Sequence, residues 1–164
     1  MERLGRAARG PGRVYFTGGA TAVLLGWRAS TIDADLKLDP EPPGIFEVLP
    51  RIKDDLAINV ELAAPDDFLP QLPGWRDRSL FIERHGEVDF FHYDLYAQAL
   101  AKVERGHAQD GRDVRTMLER GLIEPRELRR LHAAIEADLA RFPAVDPDEL
   151  LRKLDEALRA GGER

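Results

Sequence analysis

Two aspartates, Asp33 and Asp35, stand two positions apart in a segment where polar and apolar residues alternate. Alternation with a period of two is typical of a β-strand, and residues two apart on a strand project from the same face. Two carboxylates in this arrangement can share a divalent cation with phosphate oxygens. The other interpretation is an edge strand with a solvated polar face, and the alternation alone fits both.

Glu61 belongs to a second alternating segment, residues 58–62, in which Asn59 and Glu61 share a face. If the two strands are neighbours, the Glu61 carboxylate joins the aspartates in a cluster of three acids. Such clusters suit two-metal chemistry at phosphorus, because one metal activates the attacking oxygen while the other neutralises the triphosphate. The alternative is that Asn59 and Glu61 point into solvent.

Gly18 and Gly19 follow a short apolar segment, Val14 to Phe16, that predicts a buried strand. The next segment, residues 20–27, is rich in Ala and Leu and predicts a buried helix. Glycines between a strand and a helix leave backbone amides without a Cβ in the way, so that phosphate oxygens can approach them. The alternative is a tight turn with no ligand.

Lys102 and Asp110 are the charged residues of the second half that fall at or within apolar helix faces. A carboxylate on an inward face needs a cation, so the sequence predicts an ion pair of Asp110 with Lys102 or Arg105 across a helical hairpin. Asp113 is expected to support that hairpin. The pair can serve the structure alone, or Lys102 can contact phosphates while Asp110 orients it; both interpretations stay open here.

The remaining pattern predicts the elements that position these residues. A helix over 45–56 joins the two carboxylate strands, and segments 79–83 and 88–92 form a hairpin. Beyond Asp94 the sequence predicts helices over 95–105, 109–120, 125–141 and 147–160, with Asp94 and Asp146 as N-caps. We therefore expect an α/β core over residues 1–93 and a helical C-terminal region over 94–164 packed on it.

Composition excludes several classes of function. The 164 residues contain no cysteine, which leaves oxygen and imidazole as the only metal ligands. The net charge of −6 argues against a broad basic surface for nucleic acid. No segment reaches the ~20 apolar residues needed to span a bilayer and no secretory signal is visible, so we expect a cytoplasmic protein without a membrane partner.

The order of these motifs resembles the nucleotidyltransferase superfamily. A Gly-Gly turn, a helix and then an Asp-x-Asp strand form the pattern of that superfamily, present here as Gly18-Gly19 and Asp33-Ala34-Asp35. The chain resembles its small bacterial branch, which includes abortive-infection-type toxins, from Tyr15 to about Leu122. The resemblance implies a nucleotidyltransferase-like mixed sheet with flanking helices.

The resemblance also implies an activity, the transfer of a nucleoside monophosphate from a nucleoside triphosphate to a hydroxyl. Asp33, Asp35 and Glu61 would hold Mg²⁺ or Mn²⁺, and Glu61 is also a candidate base for the acceptor hydroxyl. The acceptor would be an RNA, a protein or a small molecule. The chain would be the toxin-like member of a two-component system with an antitoxin partner.

Nucleotide binding would involve four further residues. Gly18 and Gly19 would bind the triphosphate, Lys102 would neutralise phosphate charge during catalysis, and Asp110 would orient Lys102. A different class of function is also open: a non-catalytic binding or regulatory module that keeps this fold and acts with a partner protein.

Overall fold

The computed structural model describes residues 1–161, over which the chain forms a five-stranded mixed sheet and a set of helices. The strands are β1 (Gly12–Thr17), β2 (Asp33–Leu38), β3 (Asn59–Leu62), β4 (Leu80–His85) and β5 (Val88–His92). The helices are α1 (Glu2–Ala7), α2 (Gly18–Leu24), α3 (Ile45–Leu56), α4 (Trp75–Arg78), α5 (Leu95–Arg105), α6 (Ala108–Glu119), α7 (Pro125–Ile135) and α8 (Pro147–Ala160). Short 3-10 segments span Pro65–Asp67 and Glu136–Arg141. The predicted α/β class is confirmed.

The sheet has the strand order β3-β2-β1-β5-β4. Strand β1 is antiparallel to β2 and parallel to β5, β3 is parallel to β2, and β4 is antiparallel to β5. Parallel neighbours need a crossover connection, which α3 provides between β2 and β3. The two carboxylate strands therefore lie side by side, as the three-acid prediction required.

The chain folds into two compact units. The first comprises Met1–Ala64 and Arg78–Tyr93, and the second comprises Pro65–Asp77 and the chain from Asp94 onward. One division falls between residues 93 and 94, where the sequence analysis placed its boundary. The segment Pro65–Asp77 belongs to the second unit, whereas the sequence predicted it in the first.

One face of the sheet carries the core of the first unit. Apolar side chains of α3 recur at helical spacing and pack with alternate residues of the strands. The buried members are Leu4, Val14, Phe16, Ala20, Leu36, Ile45, Leu49, Ile52, Val88 and Phe90. Because strand residues alternate between faces, the odd-numbered residues of β1 and β2 belong to the opposite face. That opposite face holds the carboxylates.

The second unit is helical, and two of its helices, α5 and α8, begin at the predicted capping residues. The Asp94 carboxylate accepts a hydrogen bond from the amide of Tyr96 at 3.1 Å, and that of Asp146 accepts one from Glu149 at 3.0 Å. Both predicted N-caps are confirmed. No helix in the described part of the chain is long and apolar enough to cross a membrane.

Several boundaries differ from the predictions. Helix α2 begins at Gly18 and ends at Leu24, whereas residues 20–27 were predicted. The helix predicted over 125–141 is α only to Ile135 and continues as a 3-10 segment. Helices α1 and α4 were not predicted, because each is too short for a hydrophobic period to show in the sequence.

Candidate functional site

Asp33 and Asp35 lie on β2 on the face opposite the core. Strand register places Asp35 beside Thr17 of β1 on one side and beside Glu61 of β3 on the other. Asp35 is half-buried, whereas Asp33 and Glu61 are exposed. The three acids therefore occupy neighbouring positions on two adjacent strands of one sheet face.

Asn59 connects two of these acids. Its side-chain amide donates a hydrogen bond to Glu61 Oε1 at 2.9 Å and to Asp33 Oδ1 at 3.4 Å. One amide group that contacts both carboxylates requires them to project from the same face. Glu61 thus faces the aspartates, as the first interpretation of its strand predicted. The sequence pattern places Asn59 on this face but does not reveal these two contacts.

The glycine turn packs directly against the carboxylate strand. Gly18 has a φ of +58°, in the left-handed region, and a Cβ added there would lie 2.7 Å from Asp35 Oδ2. A Cβ on Gly19 would lie 2.5 Å from the hydroxyl oxygen of Thr31. That hydroxyl bonds both the carbonyl and the amide of Asp33, at 3.1 and 3.2 Å. A side chain at Gly18 would displace the Asp35 carboxylate, and one at Gly19 would displace the Thr31 hydroxyl.

A buried threonine and histidine brace the helix that follows the turn, and the sequence analysis assigned neither of them a role. Thr21 of α2 donates its hydroxyl to the carbonyl of Phe16 at 3.0 Å. His92 Nδ1, at the end of β5, lies 3.4 Å from the Thr21 hydroxyl. Burial lowers the pKa of His92 to about 4, so the imidazole is neutral at pH 7. Only the pairing of β5 with β1, which the sequence does not display, reveals this contact.

The chemistry of the donor set suits a hard divalent cation. Asp33, Asp35 and Glu61 offer carboxylate oxygens, the ligands that Mg²⁺ and Mn²⁺ prefer, and Mg²⁺ is commonly held by one or two carboxylates together with substrate phosphates. Within residues 1–161, no three His, Asp or Glu side chains converge closely enough to hold a metal ion by themselves. The acids fit a metal that substrate oxygens help to bind, and the three-acid metal set stays a prediction.

Lys102 and Asp110 lie in the second unit, at the centre of a buried ion-pair cluster. Lys102 Nζ is 3.3 Å from Asp110 Oδ1, and Arg105 donates two hydrogen bonds to the Asp110 carboxylate at 2.7 and 2.6 Å. The predicted pairing of Asp110 with these two cations is confirmed. The closest carboxylate to Lys102 is that of Asp113, at 2.6 Å, and Gln109 donates a further bond to Asp113 at 3.0 Å.

Charge balance explains how this cluster tolerates burial. The side chains of Lys102, Asp110 and Asp113 are each at most 5% exposed. Burial acts to raise the pKa of Asp110, but the Arg105 hydrogen bonds and the nearby positive charges outweigh it and hold that pKa below its usual range. Asp113 is thus a main partner of Lys102, a larger part than the supporting one predicted from the sequence.

A mixed sheet with a glycine turn packed against an Asp-x-Asp strand is the arrangement expected of a nucleotidyltransferase-like protein. Residues 11–155 match the model of a family described as "Nucleotidyltransferase of unknown function (DUF6036)". The chain therefore belongs to this family. The matched range includes every predicted site residue. No curated protein and no solved structure matches the chain significantly.

Proposed function

We propose that this chain is a metal-dependent nucleotidyltransferase that transfers a nucleoside monophosphate from a nucleoside triphosphate to a hydroxyl. The observation that carries the proposal is the contact between Gly18 and Asp35, which brings a backbone turn without side chains against a carboxylate. The family description supports the reaction class. Metal dependence rests on the carboxylate face alone.

The proposed reaction assigns a role to each residue of this face. The acceptor oxygen bonds to the α-phosphorus, the bond to the bridging oxygen breaks, and pyrophosphate leaves. Asp33 and Asp35 would hold Mg²⁺, which when bound supplies neutralisation of phosphate charge. Glu61 would accept the proton of the acceptor hydroxyl. The amides of Gly18 and Gly19 would orient the triphosphate.

Asn59 would position two of these carboxylates. Its single amide group contacts both Asp33 and Glu61, which limits the rotation of both side chains before substrate binds. Restricting catalytic groups in advance lowers the entropy that must be lost in the transition state. Asn59 acts through its neighbours in this proposal and makes no contact with the reacting atoms.

The wider predictions remain part of the proposal. The acceptor would be an RNA, a protein or a small molecule, and a toxin-like role would require an antitoxin partner. Lys102 would contact phosphate and Asp110 would hold Lys102 in place, as the superfamily pattern implies. A cytoplasmic location completes the proposal.

The experiment is transfer of radiolabel from each nucleoside triphosphate to total RNA and to cell extract, with Mg²⁺ or Mn²⁺ present. Asp35→Asn and Asp33→Asn should each slow transfer by several orders of magnitude, since each ~1.4 kcal/mol of barrier is tenfold in rate. Asp89→Asn is the matched control, because Asp89 lies on another strand and pairs with Arg84 at 2.5 Å. It should retain activity, with circular dichroism confirming the fold of each variant.

A non-catalytic module that acts with a partner protein is the second candidate. The observation that favours it is the absence, within residues 1–161, of three acids close enough to hold a metal unaided. Absence of transfer by the wild-type chain over all triphosphates and acceptors, together with no Mg²⁺-dependent thermal stabilisation by nucleotides, would decide for the module. Unchanged transfer by the Asp33→Asn, Asp35→Asn double variant would exclude the metal mechanism.

A further inference from the structure

The second unit contains a cavity of about 450 Å³, and of its lining residues the proposed reaction uses only Lys102. Its walls come from the end of α5, the first two turns of α6 and the second half of α8. Five of the lining residues bear on the choice of ligand: His107, Gly111, Arg112, Arg115 and Lys153. A volume of this size lies within the usual range of small-molecule sites, ~300 to 1,000 Å³.

Two cations at this cavity, Arg112 and Arg115, have no carboxylate partner within the described residues. Arg115 makes no hydrogen bond or ion pair with any of residues 1–161, and Arg112 donates only to the neutral side chain of Gln109. Lys153 donates to the backbone carbonyl of Glu104 at 2.7 Å. Uncompensated positive charge at one cavity is notable in a protein with a net charge of −6. It favours an anionic ligand.

Most arginines elsewhere in the chain are neutralised locally. Arg84 pairs with Asp89 and Arg130 pairs with Glu127, each through two hydrogen bonds. Arg152 also lines the cavity, but it is held between two glutamates, one of them in the cavity wall. Arg112 and Arg115 differ from these arginines because no carboxylate of the described residues contacts them.

The lining is also partly apolar. Val103 and Val114 contribute branched side chains, and three alanines, at positions 108, 157 and 160, add small apolar surface. Gly111 contributes no side chain, and a Cβ added there would meet nothing within 4 Å. The N-cap residue His107 makes no side-chain bond to the first amides of α6, which leaves those donors available as an addition to the cations. Cationic edges beside an apolar wall match a phosphate joined to a ring system.

We propose that this cavity is a second ligand site, which binds a phosphate-bearing molecule of about nucleotide size without a metal ion. Arg112 and Arg115 would bind the phosphate, Lys153 would add positive charge, and the valines and alanines would contact the remainder of the ligand. The proposal does not rest on the transferase activity, because its residues are separate from the carboxylates of the first unit. The site would serve a regulatory nucleotide or a phosphorylated co-substrate.

The test is isothermal titration calorimetry of the full chain in EDTA with inorganic pyrophosphate and with ATP. EDTA removes divalent metal, and the carboxylates of the first unit repel anions without it. Both probes should bind, with ATP the tighter because of the apolar wall. Arg115→Gln should weaken binding about tenfold, the effect of losing one charge-assisted hydrogen bond. Arg126→Gln, a matched exposed arginine on α7 outside the cavity, should leave binding unchanged.

A second pair of variants tests the cavity without removing a native side chain. Gly111→Glu places a negative charge in open space within the cavity, and Gly111→Gln places a neutral side chain of the same shape there. Both replace a helical glycine, so the fold should be retained. Glu should abolish pyrophosphate binding, while Gln should reduce it much less.

Equal loss in the Glu and Gln variants, or in Arg115→Gln and Arg126→Gln, would overturn the proposal, as would no binding of either probe to the wild type in EDTA. Tighter binding of a short single-stranded oligonucleotide than of ATP would overturn the stated ligand size. Retention of metal-free binding by the Asp33→Asn, Asp35→Asn variant is expected. Its loss there would contradict a separate site, whatever the outcome of the transfer assay.

Discussion

Lys102, proposed above to contact phosphate, also has two buried carboxylate partners that give it a part in stability. Lys102→Met should reduce the free energy of unfolding by about 3–5 kcal/mol, because it removes the cation nearest to the buried Asp113 carboxylate. Lys153→Met is the matched control, since Lys153 donates to a backbone carbonyl and has no buried acid beside it. Lys153→Met should reduce the free energy of unfolding by about 1 kcal/mol. Urea denaturation measures both, and equal losses would contradict the predicted difference.

His92 predicts a pH dependence of stability. Burial lowers the pKa of His92 to about 4. Below pH ~6.5, this imidazole therefore binds a proton in the unfolded chain but stays neutral in the folded chain. The free energy of unfolding should therefore decrease as the pH is lowered, by up to about 2 kcal/mol from pH 6.5 to pH 5. His92→Asn should remove this component. Urea denaturation of both proteins at pH 7 and 5 checks it.

His132 must be considered in the same experiment. Burial also lowers its pKa, so it acts in the same direction and remains in the His92→Asn variant. The test therefore compares how much free energy of unfolding the wild type and His92→Asn each lose between pH 7 and pH 5. The loss in either protein alone is not sufficient. Identical pH slopes would show that His92 does not carry the effect. Asp110, with its lowered pKa, contributes stability that is lost only at more acidic pH, as pH falls through its folded pKa.

The candidate site was predictable from sequence to the extent that local spacing decides it. A period of two placed Asp33 and Asp35 on one face without knowledge of any neighbour. The parts that failed depend on pairing between distant segments: His92 meets Thr21 only because β5 lies beside β1. Asp113 was underestimated because its distance to Lys102 depends on how α5 and α6 pack.

Two glycines at the ends of α2 allow the contact with Asp35 to be tested at the level of the element. Gly18→Ala should cost more stability than Gly26→Ala, although both residues have positive φ and both substitutions carry the left-handed penalty of ~1–2 kcal/mol. Only the Gly18 substitution meets an atom, Asp35 Oδ2 at 2.7 Å, whereas Gly26 has nothing within 4 Å. Thermal denaturation of both variants measures the difference.

The same pair bears on the proposed reaction. Gly18→Ala should also reduce transfer, since the Asp35 carboxylate must move to make room, while Gly26→Ala should retain it. If Gly26→Ala were as unstable and as inactive as Gly18→Ala, the positive φ of the two glycines would explain both effects. The contact with Asp35 would then have no part in them.

Long periodic helices were the elements that the sequence predicted best. The bounds of α3, α5 and α8 are as predicted, because apolar residues recur every three to four positions and Asp94 and Asp146 mark two of the starts. Helix α1 escaped prediction, since six residues give less than two turns of pattern. The segment 65–77 has Pro and Gly at its boundaries and little regular structure, so nothing local reveals which unit it joins.

At the scale of the whole molecule, the second unit is discontinuous in sequence. Leu69, Leu72 and Trp75 of the segment Pro65–Asp77 are at most 3% exposed, and the 3-10 turn at its start packs against α5. A fragment of residues 94–164 should therefore melt at a lower temperature than the full chain and bind a hydrophobic dye. Adding a peptide of residues 65–77 should raise its midpoint. Circular dichroism and dye fluorescence measure both effects, and a fragment as stable as the full chain would contradict the prediction.

This discontinuity also sets an order of events during synthesis on the ribosome. Residues of the first unit are complete once Tyr93 has emerged, but Pro65–Asp77 must wait for helices that end at Ala160. At a typical elongation rate of ~5–20 residues per second, synthesis from Asp77 to Ala160 takes on the order of 4–17 seconds. Leu69, Leu72 and Trp75 are without their final partners during that interval. The nascent chain thus offers a transient apolar segment to chaperones, and a pause in translation before residue 160 would lengthen that exposure.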